Sequence, residues 1–337
     1  MKPITSSIVT IVFLILLAGC TPTVQTPTNT LLMQETTPQD STTPTPTDRV
    51  LEMTLAYKDE ALSTHVYSFT IGCLATVPCL GKPVELFKIK SPVRNMNWSS
   101  NGKLLAFDSI DDSSFDIFIA SENGTEINNI TKTQEIDEIS PQWSSDNTEI
   151  AYIAQSKMEA SKILVSLANG ANPQQILSDV FEPIQFVWSS QGLVAYSAYV
   201  STTDGRYQIR IFNENGSLYW LIPLDDKKMG FGTANLAFSP DGKRLLYTGS
   251  WLNNTRVYLA DLTTKTTKAL SSFNLDCNEI DPSWSPNGDM FIYISNCESA
   301  NNSKYELFLI HLEQLSKSKL DIKLSGQIQD AVWRPNQ

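Results

Sequence analysis

Six stretches of the chain are versions of one phrase: Trp98-Ser-Ser-Asn-Gly102, Trp143-Ser-Ser-Asp-Asn147, Trp188-Ser-Ser-Gln-Gly192, Phe238-Ser-Pro-Asp-Gly242, Trp284-Ser-Pro-Asn-Gly288 and Trp333-Arg-Pro-Asn-Gln337. Their leading aromatics are 45, 45, 50, 46 and 49 residues apart, and five of the seven tryptophans stand at this one position. An Asn-Gly or Asp-Gly pair between apolar runs is a strong hairpin signal, because both residues tolerate positive φ. A short β-rich run follows each of the first five phrases: Leu104 to Phe107, Ile150 to Ile153, Leu193 to Tyr196, Leu245 to Tyr247 and Phe291 to Ile294. Two more strands follow within a repeat, as at Asp116 to Ala120 and Ile127 to Ile130, or Arg256 to Leu259 and Thr267 to Leu270. Four strands in a repeat of this length predict an all-β chain built as a β-propeller, with the tryptophans packed between blades.

The arithmetic predicts six blades. The 289 residues from 49 to 337 divide into six units of about 48. The last repeat holds only an innermost strand, Gln329 to Trp333. Residues 50 to 89 hold three strands, Val50 to Ala56, Val66 to Ile71 and Val84 to Ile89, and no phrase. The two ends therefore share the sixth blade and close the ring, since an open one leaves unpaired strand edges. Phe238-Ser-Pro-Asp-Gly-Lys243 with Leu245-Leu246-Tyr247, and Asp116-Ile-Phe118 with Asn129-Ile-Thr131, resemble the WD40-like (PD40) repeat of TolB-type propellers. That resemblance spans roughly residues 50 to 337 and implies a role in protein–protein contacts of a bacterial envelope.

Ahead of the propeller, residues 1 to 19 carry Lys2, the apolar run Ile8 to Leu17 and small residues, the layout of a secretory signal. The apolar run is too short to span a bilayer well. Leu17-Ala18-Gly19-Cys20 resembles a lipobox, which implies a diacylglycerol on Cys20 and attachment to the extracytoplasmic side of the membrane. Two or more acyl chains anchor stably where one does not. Residues 20 to 48 hold 11 Thr and 5 Pro among 29 and read as an extended linker, up to about 90 Å long if fully polyproline II.

Composition narrows the function. With 36 acidic and 25 basic side chains the net charge is −11, and no Lys/Arg run is present, which disfavours nucleic acid as a partner. Two histidines, His65 and His311, restrict His-based metal sites and Ser/His or Cys/His catalysis. No G-x-S-x-G elbow occurs. Besides Cys20 there are four cysteines, an even number that favours two disulfides in an exported chain. If Asn287-Gly288 is a two-residue turn, Cys297 falls opposite residue 278, which pairs it with Cys277 and leaves Cys73 with Cys79.

Three residues before each phrase aromatic stand Asn95, Ser140, Gln185, Asn235, Asp281 and Asp330, all polar. They begin the innermost strands and are expected to ring the channel mouth. Asp281 and Asp330, in adjacent blades, are the candidates for a cation or for a basic or polar peptide terminus. Loops on the same face put Asp111, Asp112, Asp137, Glu138, Tyr199, Trp251 and Glu279 on a rim of acids and aromatics. The expected function is a single-copy, non-catalytic platform for a protein or peptide, with no resident cofactor. The competing reading is a carbohydrate-binding or carbohydrate-active propeller, with Tyr199 and Trp251 stacking on sugar and Asp111, Asp137 or Asp281 doing chemistry.

Overall fold

The computed structural model describes residues 50–72, 78–177, 183–199, 207–223, 235–251, 254–270, 277–299 and 303–336, excluding the side chains of Tyr199, Tyr207 and Trp251. Cys20, the signal and linker segments, and Cys73 lie outside the described residues. The described strands form six antiparallel sheets. Blade one runs from Arg94–Trp98 to Ile127–Asn129, blade two from Ile136–Trp143 to Gln174–Gln175, and blade three from Pro183–Trp188 to Leu218–Leu221. Blade four runs from Leu236–Phe238 to Thr266–Ala269, and blade five from Glu279–Trp284 to Ser316–Leu320. In blade six the C-terminal strand Gln327–Arg334 is innermost and pairs with Leu51–Lys58, from Glu52↔Arg334 to Lys58↔Gln327. Thr64–Gly72 follows, and its far edge is shared by two strands, Val84–Ile89 and the short Cys79–Leu80. The chain ends thus close the ring, with one short strand more than four in that blade.

The core is distributed over the seams between blades. Six buried apolar clusters each draw on two neighbouring blades, so six blades have six filled seams and no open one. Each phrase aromatic fills the seam with the blade before it. Trp98 packs with Ala56 and Val66 of blade six, Trp143 with Ile117 of blade one, and Trp284 with Leu246 of blade four. The second strand of a blade is covered on both faces, and in Met290–Ser295 every residue is buried.

The phrase itself is a turn, and it differs from the two-residue form expected. Gly102 N–H donates to Ser99 O and Ser99 N–H to Leu104 O, both at 2.8 Å, so four residues are enclosed. Only the fifth phrase residue is left-handed: Gly102, Gly192, Gly242 and Gly288 have φ between 65° and 74°, and Asn147, in the same place, has 62°. The serine sets this geometry. Its hydroxyl accepts the backbone N–H at the start of the next strand, at 2.9 Å for Ser99 to Leu104 and 2.9 Å for Ser239 to Arg244. The sixth phrase has Arg334 instead of serine, and that arginine closes the ring. Its guanidinium lies 4.8 Å from the Trp98 ring centroid and donates to Gly102 O at 3.0 and 2.7 Å. Arg244 does the same at the seam between blades four and five, over Trp284 at 4.8 Å and onto Gly288 O at 2.8 Å.

The polar position three residues before the aromatic is a β-bulge. In blade one the register shifts by one residue between Arg94↔Asp108 and Asn97↔Ala106, and the same happens at Ser140, at Gln185, at Asp281 and beside Asp330. Asn95, Ser140 and Asp281 take positive φ there, 51°, 56° and 50°. Asn and Asp tolerate this conformation better than larger or branched residues, and a bulge re-aims its side chain. The bulge also corrects the disulfide arithmetic. Beyond it the pairing is Ile280↔Ile294 and Glu279↔Ser295, which carries on to put Cys297 opposite Cys277 rather than residue 278. The Cys277–Cys297 bridge is present, and Cys79 is disulfide-bonded.

Candidate functional site

One cavity of about 550 Å³ runs along the propeller axis and is lined by all six polar residues, Asn95, Ser140, Gln185, Asn235, Asp281 and Asp330. The bulges place them at one end of the inner strands. The other end of the cavity reaches the phrase turns, at Ser100, Ser190, Pro240, Pro286 and Pro335. Hydrogen bonds stitch the polar end across the seams. Asp330 Oδ2 accepts Met96 N–H of blade one at 2.6 Å, and Gln185 Oε1 accepts Leu236 N–H of blade four at 2.5 Å. Asn235 Nδ2 donates to Asp281 Oδ1 at 2.5 Å. At the bulges of blades one and two a backbone N–H leaves the ladder, Met96 N–H for Asp330 of blade six and Ser140 N–H for Asp108 of blade one.

A third acid, Asp108, belongs to this network and was not among the expected residues. It is fully buried on the second strand of blade one and accepts from Arg94 Nε at 2.9 Å, Asn95 Nδ2 at 2.5 Å and Ser140 N–H at 3.0 Å. Its signal in the sequence is a charge inside the apolar run Leu104–Ile110. Burial pushes its carboxyl up, against the lowering pull of Arg94. Burial also raises Asp281, and burial followed by the charges of Asp281 and Asp108 raises Asp330. Like charges gathered at one site oppose each other's ionisation, and a cation among them relieves that repulsion.

The expected rim is less uniform. Asp111 and Asp112 are exposed at the hairpin turn of blade one, and Asn129 Nδ2 donates to Asp111 Oδ2 at 2.8 Å. Asp137 is partly buried, with Oδ1 accepting Phe115 N–H at 2.9 Å. Glu138 and Glu279 are inside, 3% and 4% exposed, because both face the preceding blade, where Glu138 meets Thr133 and Glu279 accepts Val257 N–H at 3.3 Å. They are corrected here from rim residues to seam residues. The side chains of Tyr199 and Trp251 are outside the described set. Among the described residues no group of three or more His, Cys, Asp or Glu side chains is placed to hold a metal ion.

A ring of six antiparallel blades, each with a Trp-Ser-Pro-Asp-Gly type phrase on its innermost strand, has a family. Residues 82–337 match the PD40 model, the TolB beta propeller domain. The chain belongs to the TolB β-propeller family. No curated protein matches it in sequence. Among solved structures the TolB-type propeller is similar to TolB from Acinetobacter baumannii, with a TM-score of 0.66 and 16% identity over 85% of this chain and 67% of that one. It is also similar to a TolB-type protein from Agrobacterium tumefaciens, with a TM-score of 0.60 and 13% identity over 85% and 98%. A chain of a nidogen/laminin complex has the same TM-score of 0.60 with 10% identity, again over 85% and 98%. Identities this low speak for the fold alone.

Proposed function

We propose that this propeller is a non-catalytic platform that takes a cationic group of a protein or peptide partner at its polar channel mouth, and that a lipid on Cys20 holds it on the extracytoplasmic side of a bacterial membrane. The observation that carries the binding role is the axial cavity whose polar end is lined by Asp281 and Asp330 with amides and a hydroxyl, with Asp108 buried behind it and ion-paired to Arg94. Such a mouth favours a basic side chain or an amino terminus over an acidic one. A similar propeller in the nidogen/laminin complex supports the use of this architecture in protein contacts. The strand Leu51–Lys58 begins beside Arg334, at the phrase end of the channel. The polar mouth lies at the opposite end of the channel.

The test is capture from the organism's own envelope extract by residues 46–337, a compact unit, against the Asp281→Asn/Asp330→Asn variant. The expected result is a captured partner whose affinity falls at least tenfold in the variant. Equal capture by both overturns the mouth as the site, and no capture by either overturns the platform. For the anchor, cells fed labelled palmitate are expected to label the full chain, and Cys20→Ser to abolish the label.

A further inference from the structure

The seam between blades one and two holds an acid pair that the channel does not use. Asp116, on Ser114–Ser121, and Glu138, on Ile136–Trp143, are 2% and 3% exposed. One oxygen of each is satisfied: Asp116 Oδ2 accepts Asn129 Nδ2 at 2.6 Å, and Glu138 Oε1 accepts Thr133 Oγ1 at 2.7 Å. The other oxygens, Asp116 Oδ1 and Glu138 Oε2, are buried with no donor, and the two carboxyls lie within hydrogen-bonding reach of each other. Ionised carboxylates only accept, so two of them in contact need something positive between them. No Lys or Arg pairs with either among the described residues. The surrounding groups are Asp111, which shares Asn129 Nδ2, Asp137, which is taken up by Phe115 N–H, the Tyr152 hydroxyl, which Glu138 helps to raise, and the hydroxyl of Thr131. Ser109 stands opposite Asp116 in register, and its buried hydroxyl also lacks a partner. None of these supplies a positive charge. The described residues offer no third acid, His or Cys placed with the pair to hold a metal ion.

We propose that Asp116 and Glu138 share one proton across this seam, and that the proton latches blades one and two together beside the channel mouth until the pair becomes fully ionised. Two buried carboxylates without a counter-charge repel, and since they stand on two different blades the repulsion acts across the seam. The latch acts close to the mouth because Glu138 stands two residues before Ser140, which lines the channel and whose N–H is held by Asp108. Burial, with Asp116 beside it, holds the Glu138 carboxyl well above its ordinary range against the pull of Thr133. The sign follows: the folded chain keeps a proton that the unfolded chain releases, so the seam weakens as pH rises through the folded titration.

Amide exchange of the full chain, corrected for the intrinsic rise with pH, tests this without any ligand. In Ser114–Ser121 and Ile136–Trp143, protection is expected to fall at least tenfold between pH 6 and pH 9 relative to Met290–Ser295. Glu138→Gln keeps the shape and supplies a permanent donor, and it is expected to abolish that fall. Asp116→Asn serves the same purpose if the first variant does not fold. Unchanged protection in the wild-type chain, or a fall that persists in a folded variant, overturns the proposal. Restoration of wild-type protection at pH 9 by added calcium, absent in Glu138→Gln, overturns it in favour of a metal ion.

Discussion

His65 is held by two carboxylates at once, with Nδ1 2.7 Å from Glu85 Oε2 and Nε2 2.9 Å from Asp59 Oδ2. Two acceptors on one ring demand the doubly protonated imidazolium. The hydrogen bonds it donates to Glu85 and then Asp59 raise its pKa, and His65 in turn is the main cause that lowers Asp59 to about 2. A raised histidine stabilises the fold fully below its unfolded pKa, about 6.5, and the contribution is lost as pH rises through the higher folded value. His65→Gln is therefore expected to cost about 1 kcal/mol at pH 6, and the gap to wild type is expected to close by pH 9, as read by thermal melts of both chains. A gap independent of pH would mean that His65 acts through packing alone. At the same scale, Ser285 is fully buried, accepts Met290 N–H at 3.1 Å and donates to Asp289 at 2.9 Å. Ser285→Ala leaves a buried N–H without this acceptor and is expected to lower stability by about 1–2 kcal/mol in urea titration.

Inner hairpins owe their shape to the bulge and, in blade five, to a covalent tie. Ser140 is 2% exposed with φ 56°, a backbone that costs a side chain with a branched Cβ most. Ser140→Gly is expected to stay within about 0.5 kcal/mol of wild type and Ser140→Val to lose about 2 kcal/mol, in the same titration. Equal losses would place the constraint in the side chain and not in the backbone. The Cys277–Cys297 bridge spans 20 residues. Closing a loop of that size restricts the unfolded chain by about 3 kcal/mol, so the Cys277→Ala/Cys297→Ala chain is expected to unfold at a correspondingly lower denaturant midpoint. These elements also show where sequence reasoning stopped. The polar residue three places before each tryptophan was legible as a channel lining because polarity at an inner-strand start has few other uses. The extra residue it inserts was not, since a one-residue bulge leaves no mark on composition or spacing. The bulge moved the pairing so that Cys297 meets Cys277.

At the scale of the molecule the fold was legible because it is periodic: one turn written six times fixes strand count, blade count and the seam each tryptophan fills. The site was only half legible, because burial is a property of the ring and not of the repeat. Glu138 and Glu279 read as rim residues in sequence, and only the neighbouring blade takes them inside. Asp108 backs the channel wall, holding Asn95 and Ser140 from a second strand that the inner-strand pattern ignores. The closing blade supplies the strongest test of this ring-level dependence. Gln327–Arg334 contributes Ala331 and Trp333 to the seam with blade five, while Arg334 clamps Trp98 and Gly102 of blade one. Removing one strand therefore opens two seams and the edge of Leu51–Lys58 together. A chain ending at Gly326 is expected to lose its single cooperative thermal transition and to bind a hydrophobic dye, whereas Arg334→Met, which keeps the strand, retains one transition lowered by about 2 kcal/mol. A synthetic peptide of residues 325–337 added to the shortened chain is expected to restore the transition in proportion to its occupancy. A shortened chain that melts as sharply and at the same temperature as the whole one would show that the blades stand without closure.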